Sequence, residues 1–186
     1  MKNDVRMQIL EELSEHLLSV DEAQLDTMID YIEGAKRVFF YARGREMMML
    51  SAFAMRVYHM GYDAYVVGEP HVPPIGKGDV LIVSIGMGTS PRMATALAQI
   101  EVARQAGATL VALSAHPETV PDCFAHVVKI PGQTMLETPE HMISVQTMGA
   151  PYEQAELVTL DYTVLRMMQR HGWQDADLAA RHTNLE

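Results

Sequence analysis

Three stretches of this chain combine residue types that can hold a small polar ligand. In Ser84-Ile85-Gly86-Met87-Gly88-Thr89-Ser90, Gly86 and Gly88 let backbone N–H groups approach a ligand, while Ser90 before Pro91 reads as a helix start, which favours an anion. The same spacing also serves a tight turn with no ligand. Arg43-Gly44-Arg45-Glu46 offers two guanidinium groups beside a carboxylate, which either bind an anionic or hydroxylated ligand or pair with one another at the surface. Ser114-Ala115-His116-Pro117 adds a hydroxyl and an imidazole, although His116 also suits the plain role of opening the turn before Pro117.

Several chemistries lack their residues. A dinucleotide site needs Gly-x-Gly-x-x-Gly after a strand and an acidic residue about 20 positions on; neither glycine loop supplies it. Gly76-Lys77-Gly78-Asp79 runs into a strand where a P-loop would open a helix. The eight histidines include no His-Glu-x-x-His and no ligand pair at helical spacing, so no metal and no cofactor is expected. With 14 Lys plus Arg against 24 Asp plus Glu, the net charge of −10 repels nucleic acid and anionic lipid. Cys123 is the single cysteine, which excludes an internal disulfide and fits a reducing compartment. No apolar run reaches the roughly 18 residues of a membrane span, and the acidic N-terminus does not resemble a signal peptide, so the expectation is a cytoplasmic protein.

These loops need elements to hold them. Val5 to Leu18 and Leu25 to Ile32 carry apolar residues at helical spacing, with Ser19 and Glu22 at capping-box spacing and Gly34 as a stop. The chain then alternates. Arg37 to Tyr41 reads as a strand, Glu46 to Met60 as a helix, Ala64 to Val67 as a strand, and Glu69 to Gly78 as a loop. Val80 to Val83 is a third strand, followed by a helix from Ser90 through Ala103 to Gly107 and a fourth strand over Thr109 to Leu113. A helical turn near Val120 to Phe124 precedes a fifth strand over Val127 to Ile130, and a long helix spans about Tyr152 to His171. Asp175 to Glu186 reads as a short helix and tail, while Gln133 to Ala150 gives no clear reading. Nearly continuous apolar strands separated by helices predict a doubly wound α/β sandwich, one domain over residues 1–186, with its ligand at the carboxyl ends of the strands. Fifteen methionines, three of them consecutive at Met47 to Met49, suit either a Met-rich core or apolar contacts to a ligand or subunit.

Ala52-Phe53-Ala54-Met55-Arg56, Val66-Val67-Gly68-Glu69, Ile75-Gly76-Lys77-Gly78-Asp79, Met148-Gly149 with Glu153, and the ending Arg181-His182-Thr183-Asn184-Leu185-Glu186 resemble the 6-phospho-3-hexuloisomerase branch of the sugar isomerase (SIS) domain family. The resemblance runs in order along almost the whole chain. It implies a five-stranded parallel sheet, a homotetramer with sites between subunits, and interconversion of 3-hexulose 6-phosphate with fructose 6-phosphate through an enediolate.

The resemblance also implies roles. Glu153 matches a glutamate of the family's Met-Gly-x-x-x-Glu segment and is the expected base; a first-turn glutamate favoured by the helix dipole is the plainer reading. His182 matches the family's terminal histidine and is the expected acid or ring-opening group, against a solvated tail histidine. Arg43, Gly44, Arg45, Glu46, Gly86, Met87, Gly88, Thr89, Ser90 and Ser114 form the expected substrate-binding set. Arg56 is expected to be structural. The chain departs from the family in these loops, with Glu46, Ile85 and Met87 standing where serines belong. Phosphate binding is therefore expected to be weak, and two alternatives stand beside the sugar-phosphate isomerase: a non-catalytic sugar-phosphate binder, and an isomerase of a sugar without phosphate.

Overall fold

The computed structural model of the chain describes residues 4–89, 93–135 and 144–185. Five strands, β1 (Val38–Tyr41), β2 (Ala64–Val66), β3 (Val80–Ser84), β4 (Thr109–Ser114) and β5 (His126–Lys129), pair in parallel in the order β2-β1-β3-β4-β5. Register places Phe40 between Val66 and Ile82, and Ile82 beside Val111. Because β1 lies between β2 and β3, the chain leaves β1 toward one edge and returns on the other side. The carboxyl ends of β1 and β3 therefore bound the crevice at which an open α/β sheet binds its ligand.

Both faces of the sheet are covered, which explains why its strands are apolar at consecutive positions. On one face, α2 (Glu22–Gly34), α3 (Gly44–His59) and α5 (Ala150–His171) bring Ile29, Ile32, Leu50, Phe53 and Leu160 against Phe40, Ile82 and Leu113. On the other, α4 (Ala94–Gln105) brings Ala96, Ile100 and Ala103 against Phe39, Leu81 and Val83. Each fully buried Leu, Ile or Phe contributes about 1.5–3 kcal/mol of transfer free energy. The doubly wound α/β sandwich is the observed fold.

The local differences have physical causes. Ser19 does not cap α2; its hydroxyl donates back to the carbonyl of His16 at 2.9 Å and closes α1 (Val5–Leu18), while Asp21 caps α2 by accepting from the N–H of Ala23. The helical turn before β5 lies at Pro117–Thr119, earlier than Val120 to Phe124, because Pro117 pre-sets the first helical φ and Thr119 bonds back to His116. Helix α3 starts at Gly44, ahead of Glu46, which puts Glu46 inside its first turn. The helix start expected at Ser90 and Pro91 lies outside the described residues. After α5, α6 (Asp175–Ala179) leads into the exposed C-terminal tail.

Candidate active site

A cavity of about 280 Å³ opens at the predicted place, lined by residues of the loops after β1 and β3, the segment after β5 and the start of α5. Arg43, Gly44, Arg45, Glu46 and Met87 meet Thr134, Met135, Tyr152 and Glu153 there. Glu153 projects from the first turn of α5, and its Oε2 accepts from Nη1 of Arg45 at 2.5 Å. The surface pairing of Arg45 with Glu46 is thus replaced by a cross-helix pair that holds Glu153 at the cavity wall.

Glu46 turns inward instead. Its Oε2 accepts from the Ser84 hydroxyl at 3.0 Å and from the backbone N–H of Gly86 at 3.1 Å. Burial, with a smaller push from the Glu153 carboxylate, raises its pKa above the usual carboxylate range despite those two donors. Ser84 is shared: its Oγ also lies 3.1 Å from the phenol oxygen of Tyr152. Tyr152 is buried, and burial moves its phenol well above the usual value. Its ring lies so close to Gly86 that a Cβ there would collide with it.

Behind this group stands Glu156, one helical turn along from Tyr152 and 0% exposed. Neither carboxyl oxygen makes a hydrogen bond, and the nearby Ser84 hydroxyl is spent on Glu46 and Tyr152. Burial, reinforced by the carboxyls of Glu46 and Glu153, raises its pKa well above the ordinary range and so favours the neutral acid. Thr159, one turn further, also has a buried hydroxyl oxygen without a partner.

The β3–α4 loop closes as a turn. Gly88 N donates to the Ile85 carbonyl at 2.7 Å, φ at Gly88 is +61°, and a side chain there would strike the Thr119 hydroxyl. Thr89 does not face the cavity; its hydroxyl donates to the carbonyl of Thr119. Ser114, expected among the substrate-binding residues, is fully buried here, donates to the Ile85 carbonyl at 3.0 Å and accepts from His116 N at 3.1 Å, joining the ends of β3 and β4. Ile85 is no vacated ligand donor, because it packs in the core with Leu81, Val83 and Met93. Ser90 lies outside the described residues.

His182 is elsewhere. Its ring lies 5.3 Å from that of His59, beside a second cavity lined by Arg56, His59, Asp161 and Leu178. Fourteen residues of α3 separate His59 from the Arg45 that holds Glu153, roughly 21 Å at the helical rise. One chain therefore does not bring Glu153 and His182 together. Sequence reasoning placed Ser84 in a ligand loop without giving it a role, and it missed Tyr152 and Glu156.

The five-stranded parallel sheet with helices on both faces is the fold of the sugar isomerase (SIS) class: it superposes on the sugar isomerase domain of an RpiR transcription factor from Sphaerobacter thermophilus with a TM-score of 0.68 at 14% identity, covering 95% of this chain and 93% of that one. No family model matches the sequence. The chain is 29% identical over 180 residues to the 3-hexulose-6-phosphate isomerase of Bacillus subtilis, covering 96% of each chain. It is 31% identical to that of Methanocaldococcus jannaschii, covering 87% of this chain and 84% of that one. A solved structure from Methanococcus jannaschii, whose inferred molecular function is 3-hexulose-6-phosphate isomerase, superposes with a TM-score of 0.77 at 26% identity, covering 98% of this chain and 97% of that one. The chain belongs to the 3-hexulose-6-phosphate isomerase family of sugar-phosphate isomerases, and it is a sugar isomerase.

Proposed function

We propose that the protein moves a carbonyl between adjacent carbons of a hexulose phosphate, as 3-hexulose 6-phosphate and fructose 6-phosphate are interconverted, with Glu153 as the base. The observation that carries this reading is the placement of the Glu153 carboxylate on the cavity wall at the sheet's switch point, held at 2.5 Å by Arg45. Glu153 takes the proton from C2 beside the C3 carbonyl and gives the 2,3-enediolate; the Glu153 carboxyl, exchanging its proton with solvent, then delivers one to C3. The hydroxyl proton leaves O2 and one is delivered to O3, so the carbonyl ends at C2. Arg45, at the mouth, is the cation placed to stabilise the enediolate oxygens.

His182 is the acid or ring-opening group in this reading, supplied by a second copy of the chain. Its distance from Glu153 within one chain supports that assignment, and so does α1, which buries no residue while exposing Val5, Met7, Leu10 and Leu18. Helix α3 adds exposed Met48, Met55 and Tyr58, surface suited to the homotetramer that the sequence suggested. Among the described residues no helix is long and apolar enough to cross a membrane, and Cys123 is a free thiol, which supports a cytoplasmic setting.

The test is solvent-deuterium exchange into a panel of hexulose phosphates and free sugars followed by NMR, which detects proton abstraction before the product is known. Exchange at the carbon beside the carbonyl is expected. Binding of a sugar phosphate with no exchange into any member would replace the isomerase by a binding module.

A further inference from the structure

The end of the cavity where an anion would rest already holds one. The two donors that the β3–α4 crevice aims inward, the Gly86 N–H and the Ser84 hydroxyl, are both spent on Oε2 of Glu46. The hydroxyls of Thr89 and Ser114 are committed as well, to the carbonyls of Thr119 and Ile85, while the Ile85 side chain is buried in the core and the Met87 side chain has no donor. The other carboxyl oxygen of Glu46, Oε1, has no hydrogen-bond partner among the described residues, and Glu46 lines the cavity. Ionised, Oε1 can only accept and repels a phosphate; protonated, it becomes a hydroxyl donor.

We propose that this site takes a sugar phosphate together with a proton, carried on Glu46, so that the neutral carboxylic acid donates to the phosphate. Glu46 is then the specificity-determining residue for charge at that end of the substrate: ionised, it favours a sugar hydroxyl there, and protonated, it admits phosphate. The proposal rests on the isomerase reading above and adds how its substrate is held. The groups facing Glu46 favour proton uptake. Helix α5 presents Glu153, Glu156 and the phenol of Tyr152, and of the two arginines on the α3 side Arg45 is already paired with Glu153, with Arg43 exposed at the mouth. Burial already raises the Glu46 pKa before any ligand is present, and a dianion beside it would raise it further.

Calorimetry with fructose 6-phosphate as the probe, at about pH 8 where its phosphate is already dianionic, decides the matter in two buffers of different ionisation enthalpy. Wild type is expected to take up about one proton per ligand bound and to lose affinity by about tenfold per pH unit above that pH. Glu46→Gln, whose amide donates at every pH, is expected to take up none, to bind with a flat pH profile and to bind at least about tenfold more tightly at pH 8; Glu46→Ser serves as the second variant with the same expectation. No proton uptake by wild type, or an equal pH slope in the variants, overturns the proposal. If neither wild type nor variants bind the probe while deuterium exchange into an unphosphorylated sugar occurs, the proposal fails and the isomerase stands. Absence of both binding and exchange with every sugar removes both.

Discussion

The two halves of α5 place charge against neighbouring helices in opposite ways. Toward its C-terminus, Arg166 meets Asp26 at 2.7 Å and Glu22 at 2.9 Å, Arg170 meets Asp30 at 2.5 Å, and His171 lies 2.8 Å from Glu33, so α2 answers each of these basic side chains with an acid. Toward its N-terminus, acid is set near acid. Glu153 has Arg45, but Glu156 has no partner, and the carboxylate nearby on α3, Glu46, is held by two neutral donors. The first half holds a scaffold, where charge is compensated because nothing else is asked of it. The second leaves buried carboxyls without a cationic partner, at a cost in stability, as expected where protonation states are chosen for chemistry.

The comparison breaks most visibly at Glu153. Glu153→Gln keeps the shape and the contact to Arg45 but cannot take a proton, and solvent-deuterium exchange should fall by about 10²–10⁴-fold while ligand affinity stays within a few fold. Joint loss of binding and folding would make Glu153 structural, and the N-terminal half would then be scaffold like the rest.

Glu156 sharpens the contrast in stability. Glu156→Met removes two buried, unpartnered oxygens at similar length and should stabilise the fold at neutral pH by about 1–3 kcal/mol in denaturant titration. The sign with pH is fixed. Because the folded-state pKa lies above the ordinary 4.5, the contribution of Glu156 is fully present below about pH 4.5 and is lost as pH rises toward the folded value. The difference between wild type and variant should therefore grow as pH rises from 4.5. Asp79, lowered by its hydrogen bonds to Arg37 and Gly76 against the opposing effect of burial, acts oppositely but equally in both proteins and cancels.

The smallest effect belongs to the compensated half. Arg166→Met, at a side chain 20% exposed, should cost about 1–2 kcal/mol, and the loss should shrink in high salt because exposed partners are screened. A larger loss than that of any site variant would mean that the α2–α5 clasp, and not the core, holds the helix.

Much of this was legible beforehand. Two-sided burial forces apolar side chains at consecutive strand positions, so Val80 to Val83 announces itself, and Gly34, Gly61 and Gly107 mark helix ends. The loops after β1 and β3 were legible as ligand loops, whereas the strand order that brings Arg45, Glu46 and Glu153 to one cavity was not. Side-chain direction was not legible. Ile85 and Ser114 sit in loops that sequence assigns to the ligand, yet the pleat of β3 continues through Ile85 and sends it into the core, and the Ser114 hydroxyl is needed to join two strand ends. Glu156 was hidden because a glutamate at helical spacing looks solvated until α3 closes over it. Nor could spacing reveal that His182 lies at the far end of α3, since the tail is placed by its contact with His59.

The central claim, that base and acid come from different copies of the chain, is tested most directly by mixing subunits. Glu153→Gln and His182→Asn are each expected to be inactive alone. Unfolded together and refolded as mixed assemblies, they should recover deuterium exchange, because some interfaces then pair an intact Glu153 with an intact His182. Recovery absent from assemblies shown by native mass spectrometry to be mixed, or an active wild-type monomer, would contradict the claim and place the whole reaction within one chain.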